Sequence, residues 1–486
     1  MNNKKNAISS LALQLVTIAQ GLILPKLILG AFGSEVNGLV SSITQFLSFI
    51  SLLEGGLGAV VLAELYCPIE KKDDEKIQGI LGACQSFFSK LTLVFLFYTV
   101  MVAYFYPRYI DTSLSKGAVS VLVLILSMTT VAQYLFSITY RLLLQAEQKL
   151  YIVNYISAVT ILINTISASI VIFVFPSIHV IKLCSGIVYM IQPMVYRTFV
   201  EKKFLKRNIR KKRQHYTLKS RWSGFAQNLA HFVNMNTDVV LITLFMPIQY
   251  VSIYSVHLLA INALRGMVTN VGNSYQSALG KYIAMGDRTQ LKKKFRKFEE
   301  GFWLAGMVLF FCCALLINSF IQIYTTGITD AEYYQPVFSF VIVLANMIYV
   351  IREPYRLLVL AGGKFKETNF GAVAEAVINL GMSLLLITKF GLIGVAVGTL
   401  AAIAFRLIYL VWYLHKDIIQ LSYASLSYHI VTFIVIFTVN LFVYISWPLR
   451  LNSIVQFFVA GCIVFVSECG VCGLVYWINR RLFQMT

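Results

Sequence analysis

Long apolar segments recur from one end of the chain to the other. Fourteen of them are long enough to cross the hydrocarbon core of a bilayer, which takes about 20 residues. They span residues 8–30, 36–65, 79–106, 117–140, 152–175, 180–196, 222–246, 250–280, 301–325, 337–351, 368–388, 392–405, 425–447 and 453–477. The chain has 486 residues, of which 58% are hydrophobic and only 13% charged. A soluble fold of this length could not bury so much apolar surface. The sequence therefore predicts an all-α integral membrane protein with about 14 transmembrane helices.

The basic residues predict the orientation. With the N-terminus in the cytoplasm, the loops on the inner side hold 33 of the 41 Lys and Arg residues, as the positive-inside rule requires. An even number of helices then places both termini in the cytoplasm. The formal net charge of +20 is explained by this topology, so we expect no nucleic-acid partner. The expected location is the cytoplasmic (inner) membrane of a bacterium.

A dense basic segment, "EKKFLKRNIRKKRQHYTLKSR", separates six apolar segments from eight. It is either a linker that directs topology or an interfacial helix on anionic membrane lipids that tethers two moving halves. The sequence thus predicts an N-terminal lobe (1–200), a basic cytoplasmic linker (201–221), a C-terminal lobe (222–424), and two further helices with a cytoplasmic tail (425–486).

Several classes of function lack their signatures. The loops predicted on the outer side are about ten residues or shorter, which argues against a membrane enzyme with an external catalytic loop. No GxxxxGK[ST] phosphate loop is present, so the chain is not expected to hydrolyse ATP. The eight Cys residues lie mostly in apolar segments and are interpreted as packing residues. We therefore expect no enzyme activity, no cofactor and no metal site.

The seventh apolar segment carries a polar stripe. Gln227, His231, Asn234 and Asp238 follow one another at i, i+4, i+7 and i+11. At 100° per residue they lie within about 60° of one another on a helix. Such a stripe faces protein or water, because lipid would leave its polar groups unpaired. Hydrogen-bonded packing between helices is the plainer explanation, but it does not account for an Asp at mid-depth.

Two other segments carry comparable polar residues. Asn262, Arg265 and Asn273 belong to a polar face of the eighth segment, and Glu375 and Asn379 share a face of the eleventh. A water-filled cavity lined by these faces would explain them together.

Charges of opposite sign lie at matching depths in the two halves. Lys26 and Asp238 share one level, and Glu54 and Arg265 share another. Weakly similar halves with charged residues near the midplane are typical of transporters. The pairs are either static ion pairs or pairs that open for a charged substrate. The candidate substrate-translocation and cavity residues are Lys26, Glu54, His231, Asn234, Asp238, Asn262, Arg265, Asn273, Glu375 and Asn379.

The sequence also resembles a known family. The stretches "NTDVVLI", "VSIYSV", "GKFKETNFGAVAEAVINLGMSLLL" and "FGLIGVAVGTL" look like those of the polysaccharide (Wzx-type) flippases. That family belongs to the multidrug, oligosaccharidyl-lipid and polysaccharide (MOP) exporter superfamily. The resemblance covers nearly the whole chain, although its motifs are diffuse. It implies two six-helix lobes around a central cavity, followed by two C-terminal helices.

The implied function is that of a flippase for an undecaprenyl-diphosphate-linked oligosaccharide, used for capsule, O-antigen or a related polymer. Lys26 and Arg265 suit diphosphate oxygens, and Asp238 would hold these cations ready or take up a proton. The expected partners are the lipid-linked oligosaccharide, membrane lipids, a coupling H⁺ or Na⁺, and polymerase or glycosyltransferase proteins. An ion-coupled multidrug or cation antiporter of the same fold remains the alternative.

Overall fold

The computed structural model describes residues 2–54, 57–203, 225–364, 367–417, 423–447, 449 and 451–482. All regular elements within these residues are helical. They are α1 (Asn2–Leu47), a 3₁₀ helix (Ser48–Glu54), α2 (Leu57–Glu70), α3 (Asp74–Tyr109), α4 (Lys116–Phe136), α5 (Ile138–Ala146), α6 (Leu150–Val174), α7 (Ile178–Lys203), α8 (Phe225–Phe245), α9 (Gln249–Ala284), α10 (Arg288–Tyr324), α11 (Pro336–Ala361), α12 (Asn369–Asp417), α13 (Tyr423–Ser446) and α14 (Ile454–Leu482).

Twelve helical segments of the described chain are long and apolar enough to cross a membrane. A thirteenth, shorter apolar helix runs from Phe232 to Phe245. The first of the twelve, Ile8–Glu54, bends at Gly33, whose φ of 79° lies in the left-handed region. About 14 spans are therefore compatible with the structure, and the predicted all-α membrane fold class is confirmed.

The chain divides into two compact units. Unit 1 contains Met1–Leu229 and Pro247–Ser252, and unit 2 contains Ala230–Met246 and Ile253–Thr486. Residues 204–221 of the predicted basic linker (201–221) lie outside the described residues. The predicted domain boundaries and the cytoplasmic orientation of both termini stay predictions.

In unit 1, α1 packs on α6, α3 on α4, and both α4 and α6 on α7. The apolar segment 36–65 is long enough for a helix that tilts or kinks. In the structure α1 ends at Leu47, a 3₁₀ helix follows to Glu54, and α2 starts at Leu57.

In unit 2, α10 packs on α11, α13 and α14, and α11 packs on α12. Two stretches that sequence analysis assigned to inner loops, 352–367 and 406–424, are helical over much of their length. Helix α11 continues to Ala361 and α12 to Asp417. Their basic residues Arg352 and Arg406 are buried. Both guanidiniums are in ion-pair contact with one buried carboxylate, as described below.

Helix α12 folds back on itself at Gly391, whose φ is 54°. Gly394 and Gly398 then lie against the first half of the same hairpin. A Cβ on Gly398 would lie 2.2 Å from Ser383 Oγ, and one on Gly394 would lie 2.5 Å from the Leu386 carbonyl oxygen. The small residues of "FGLIGVAVGTL" therefore allow close packing, as expected, while Gly391 makes the turn.

Candidate functional site

A buried polar network joins α8, α9 and α12 in unit 2. Its centre is Asp238, whose side chain is 3% exposed. Asp238 Oδ2 accepts hydrogen bonds from the Tyr254 hydroxyl at 2.7 Å and from Thr399 Oγ1 at 2.8 Å. Tyr254 comes from α9, and Thr399 follows the Gly391 turn in α12. The close packing of the α12 hairpin thus brings a hydroxyl to the carboxylate.

The network continues from Thr399 along a directed chain of amides. Asn379 Nδ2 donates to Thr399 Oγ1 at 3.3 Å and to Asn234 Oδ1 at 2.9 Å. Asn234 Nδ2 in turn donates to Glu375 Oε1 at 2.8 Å. Four predicted site residues, Asn234, Asp238, Glu375 and Asn379, are therefore brought together. Asn234 and Asp238 are four residues apart on α8, and Glu375 and Asn379 are four residues apart on α12, so each pair lies on one face of its helix. Hydrogen bonds between the two faces show that they lie opposite each other.

Glu375 lies between two arginines. Arg352 Nη1 of α11 is 2.5 Å from Glu375 Oε1, and Arg406 Nε of α12 is 3.6 Å from Oε2. The Arg352 guanidinium also lies 4.6 Å from the centre of the Tyr349 ring. Gly371 provides room, because a Cβ there would be 2.3 Å from Arg406 Nη1. The negative charge of Glu375 is thus neutralised inside unit 2.

Asp238 is different, because no Lys or Arg of unit 2 forms an ion pair with it among the described residues. Its Oδ1 and the Oδ1 of Asn379 are both buried and accept no hydrogen bond from the described protein. A buried acceptor without a donor costs about 1–3 kcal/mol. A buried carboxylate oxygen of this kind could bind a proton or a hard monovalent cation. The network also has the properties of interhelical packing. No group of three or more His, Cys, Asp or Glu side chains that could hold a metal ion occurs among the described residues.

Arg265 of α9 has a neutral environment in unit 2. Its Nη1 donates to Asn346 Oδ1 at 3.2 Å and lies 3.8 Å from the sulfur of Met235. Its guanidinium carbon is 5.1 Å from the centre of the Tyr349 ring. Within the described part of unit 2, no carboxylate is in ion-pair contact with Arg265. The side chain is half-buried, so its charge remains available to an anion.

The remaining predicted residues are distributed as follows. Lys26 lies in α1 of unit 1 and is exposed, next to Pro25. Glu54, also in unit 1, accepts a hydrogen bond from the Tyr134 hydroxyl. Asn262 is exposed on α9. The side chains of His231 and Asn273 lie outside the described part of the structure.

The two predicted pairs, Lys26 with Asp238 and Glu54 with Arg265, each join a residue of unit 1 to one of unit 2. They stay predictions. In the described part of the structure, the Asp238 carboxylate instead accepts hydrogen bonds from Tyr254 and Thr399.

Sequence analysis missed several members of this site: Tyr254, Asn346, Tyr349, Arg352, Thr399 and Arg406. Arg352 and Arg406 are among the 33 basic residues that the positive-inside rule places in inner loops, although each directly follows an apolar segment. A usable signal was the carboxylate Glu375 in an apolar helix, since a buried acid needs a cation or hydrogen-bond donors.

No protein-family model and no curated protein sequence matches the chain. Solved structures do match. A lipid II flippase, MurJ in an inward closed conformation, aligns with a TM-score of 0.67 and 16% identity over 98% of each chain. A multidrug resistance MATE family transporter of the MOP superfamily aligns with a TM-score of 0.58 and 13% identity, covering 82% of this chain and 94% of its own.

This chain has the fold of the MOP-superfamily transporters. A third structure agrees: the MATE multidrug transporter DinF-BH has a TM-score of 0.55 at 15% identity, covering 86% of this chain and 97% of its own. At these identities the similarity establishes the fold alone. The part of the earlier resemblance that named the superfamily fold is confirmed, while the polysaccharide flippase family is taken up as a proposal.

Proposed function

We propose that the chain is a flippase that moves an undecaprenyl-diphosphate-linked oligosaccharide repeat unit from the inner to the outer leaflet by alternating access. The exported saccharide would serve the synthesis of a surface polymer such as capsule or O-antigen. The observation that carries this proposal is Arg265, a half-buried guanidinium on a membrane-spanning helix whose contacts in unit 2 are neutral.

A charge in the membrane interior is costly, and a helical membrane protein keeps one where it has a function. Arg352 and Arg406 are both in ion-pair contact with Glu375, which gives them a structural explanation. Arg265 is held by an amide and an aromatic ring, which orient the guanidinium without cancelling its charge. It therefore favours an anionic ligand over a cationic one.

A lipid-linked diphosphate has the chemistry that such a site would recognise. Guanidinium groups bind diphosphate oxygens through short, charge-assisted hydrogen bonds, which strengthen where water is excluded. Exposed Lys26 offers a second cation, and exposed Asn262 offers an amide for sugar hydroxyls. The polyprenyl chain needs no polar path, because it can remain in the lipid.

The extent of the structural similarity supports the same choice. The alignment with the lipid II flippase structure covers 98% of this chain, whereas the alignments with the two multidrug transporters cover 82% and 86%. A fold that matches a lipid flippase from end to end is suited to a lipid-linked substrate.

The buried oxygens of Asp238 and Asn379 supply a means of coupling. Binding of H⁺ or Na⁺ there would neutralise a carboxylate that has no cation partner in the described part of unit 2. The same feature favours the second candidate function, an ion-coupled multidrug or cation antiporter, because Asp238 could equally attract a cationic drug.

The experiment compares Arg265 variants in a host that lacks its own copy of the gene. Arg265→Ala should abolish polymer export at normal protein abundance and cause lipid-linked repeat units to accumulate. Arg265→Lys should retain part of the export, because it keeps the charge but loses the planar fork of donors. Arg108→Ala is the matched control, since Arg108 is exposed and stacked on its neighbour Tyr104.

Loss of drug resistance with unchanged polymer export would establish the antiporter instead. Full export by the Arg265→Ala variant would show that this guanidinium does not contact the substrate.

A further inference from the structure

A second buried acid lies in unit 2, apart from the residues of the Asp238 network. Glu299 of α10 is 2% exposed and His429 of α13 is 1% exposed. Glu299 Oε1 accepts a hydrogen bond from the Tyr355 hydroxyl at 2.5 Å, and that hydroxyl accepts one from Trp303 Nε1 at 3.1 Å. One carboxylate oxygen is thus held firmly by α11, and the other faces α13.

The facing atoms are close but not bonded. Glu299 Oε2 lies 3.9 Å from His429 Nε2, which is beyond the distance of a hydrogen bond. Neither Glu299 Oε2 nor either ring nitrogen of His429 has a hydrogen-bond partner in the described protein. Buried polar atoms without partners are uncommon in folded proteins and call for a reason.

A second histidine of the same unit shows what a satisfied buried imidazole looks like. His257 of α9 is fully buried, and its Nδ1 is 2.8 Å from the Ile253 carbonyl while its Nε2 is 3.0 Å from Ser339 Oγ. Both of its nitrogens have partners. His429 has a carboxylate and an aromatic ring instead, which are the groups that stabilise an imidazolium.

The aromatic ring is Trp303. Its indole stacks on the His429 imidazole with ring centres 5.0 Å apart and planes inclined by 11°. A cation over an indole face is stabilised by the ring quadrupole. The imidazole therefore has a carboxylate at its edge and an indole on its face.

We propose that Glu299 and His429 form a proton-binding site and that the bound proton fastens α13 to α10. Proton uptake turns His429 into an imidazolium beside the Glu299 carboxylate. The attraction between them closes the 3.9 Å gap to hydrogen-bond distance and pairs Oε2 with Nε2. Loss of the proton leaves both atoms unpaired and loosens this contact.

Two charged side chains of α10 act on the site. Arg296 and Glu300 are paired with each other at 3.2 Å; Arg296 acts on both Glu299 and His429, and Glu300 acts on Glu299. Among the described residues, three tyrosines are further titratable neighbours: Tyr355 on α11, Tyr428 beside His429 on α13, and Tyr476 on α14. The variants used in the test below leave all of these groups in place.

The test uses the stacked indole as the probe. An imidazolium quenches the emission of an indole on which it stacks, so lowering the pH should reduce the Trp303 emission. The full chain would be placed in lipid nanodiscs with Trp222, Trp412, Trp447 and Trp477 changed to Phe, and titrated from pH 8.5 to pH 5. If that variant does not fold, the signal is the difference between the unmodified chain and Trp303→Phe.

Three variants decide the outcome. His429→Gln should abolish the transition, and Glu299→Gln should move its midpoint to lower pH by about 1–3 pH units, because the carboxylate no longer favours the imidazolium. His257→Gln, the matched control, should leave it unchanged. A Trp303 emission that does not change with pH, or a transition that persists in His429→Gln or is unmoved in Glu299→Gln, would overturn the proposal.

Discussion

The ion cluster around Glu375 allows a quantitative test of how unit 2 is stabilised. In Glu375→Gln the side chain keeps its size but loses its charge. Arg352, whose guanidinium lies 2.5 Å from the carboxylate, then loses its nearest counterion, and Arg406 loses one at 3.6 Å. All three side chains are at least 90% buried, so water cannot replace the carboxylate.

Removing one partner of a buried ion pair typically destabilises a protein by about 3–5 kcal/mol. The upper half of this range applies here, because two guanidiniums and the amide of Asn234 all depend on the one carboxylate. A second change, Arg352→Met, should restore part of the loss, since it removes the more closely held cation. Arg406 would keep its hydrogen bond to the Thr368 carbonyl at 3.0 Å.

The measurement is equilibrium unfolding of the purified protein in mixed micelles, made for the two single variants and the double variant. A double-mutant cycle then isolates the coupling between Glu375 and Arg352. The control is Glu367→Gln, which breaks a pair that is 45% and 44% exposed and should cost less than about 1 kcal/mol. If Glu375→Gln costs no more than this control, or if the two single changes are additive, the cluster does not act as a buried ion pair.

Two further predictions concern the α12 hairpin and the residues Lys26 and Asp238, which are predicted to lie at the same depth in the membrane. Gly398→Ala should destabilise the protein by about 1–3 kcal/mol in the same unfolding assay, because its Cβ would lie 2.8 Å from the Ser383 amide nitrogen. The control is Gly381→Ala, which should not destabilise the protein, because no atom of a packing neighbour lies within 4 Å of the added Cβ. Lys26→Ala and Asp238→Ala should each impair polymer export. If the two residues form a static ion pair, the double variant should recover export. If Lys26 binds the substrate, the double variant should remain inactive.

The fold class could be predicted from the sequence because a bilayer imposes a length and a composition on each helix. The ends of the helices could not, and α11 shows why. The apolar segment 337–351 ends where Arg352 and Glu353 begin, yet the helix continues to Ala361 with both residues buried. A hydropathy pattern assigns charged residues to the aqueous phase. Only the tertiary structure shows that Arg352 is paired with the buried Glu375.

The candidate site was predictable to the extent that it follows helical periodicity. Asn234 and Asp238 share a face of α8, and Glu375 and Asn379 share a face of α12, as the spacing of four residues requires. That these two faces meet depends on the packing of α8 against α12. The contribution of Thr399 depends further on the turn at Gly391, whose φ of 54° the sequence did not predict.

The two carboxylates of this network differ in what a change of charge would do. Glu375 is paired with guanidiniums of α11 and α12, so removing its charge would leave buried cations on these two helices without their counterion. Asp238 is bound by two hydroxyls, which can remain in place whether the carboxylate is charged, protonated or coordinated to a cation. Thr399 and Asn379 connect Asp238 to Asn234 and Glu375. Under the proposed function we therefore expect Glu375 to stabilise the packing of its helices and Asp238 to be the acid whose charge state changes.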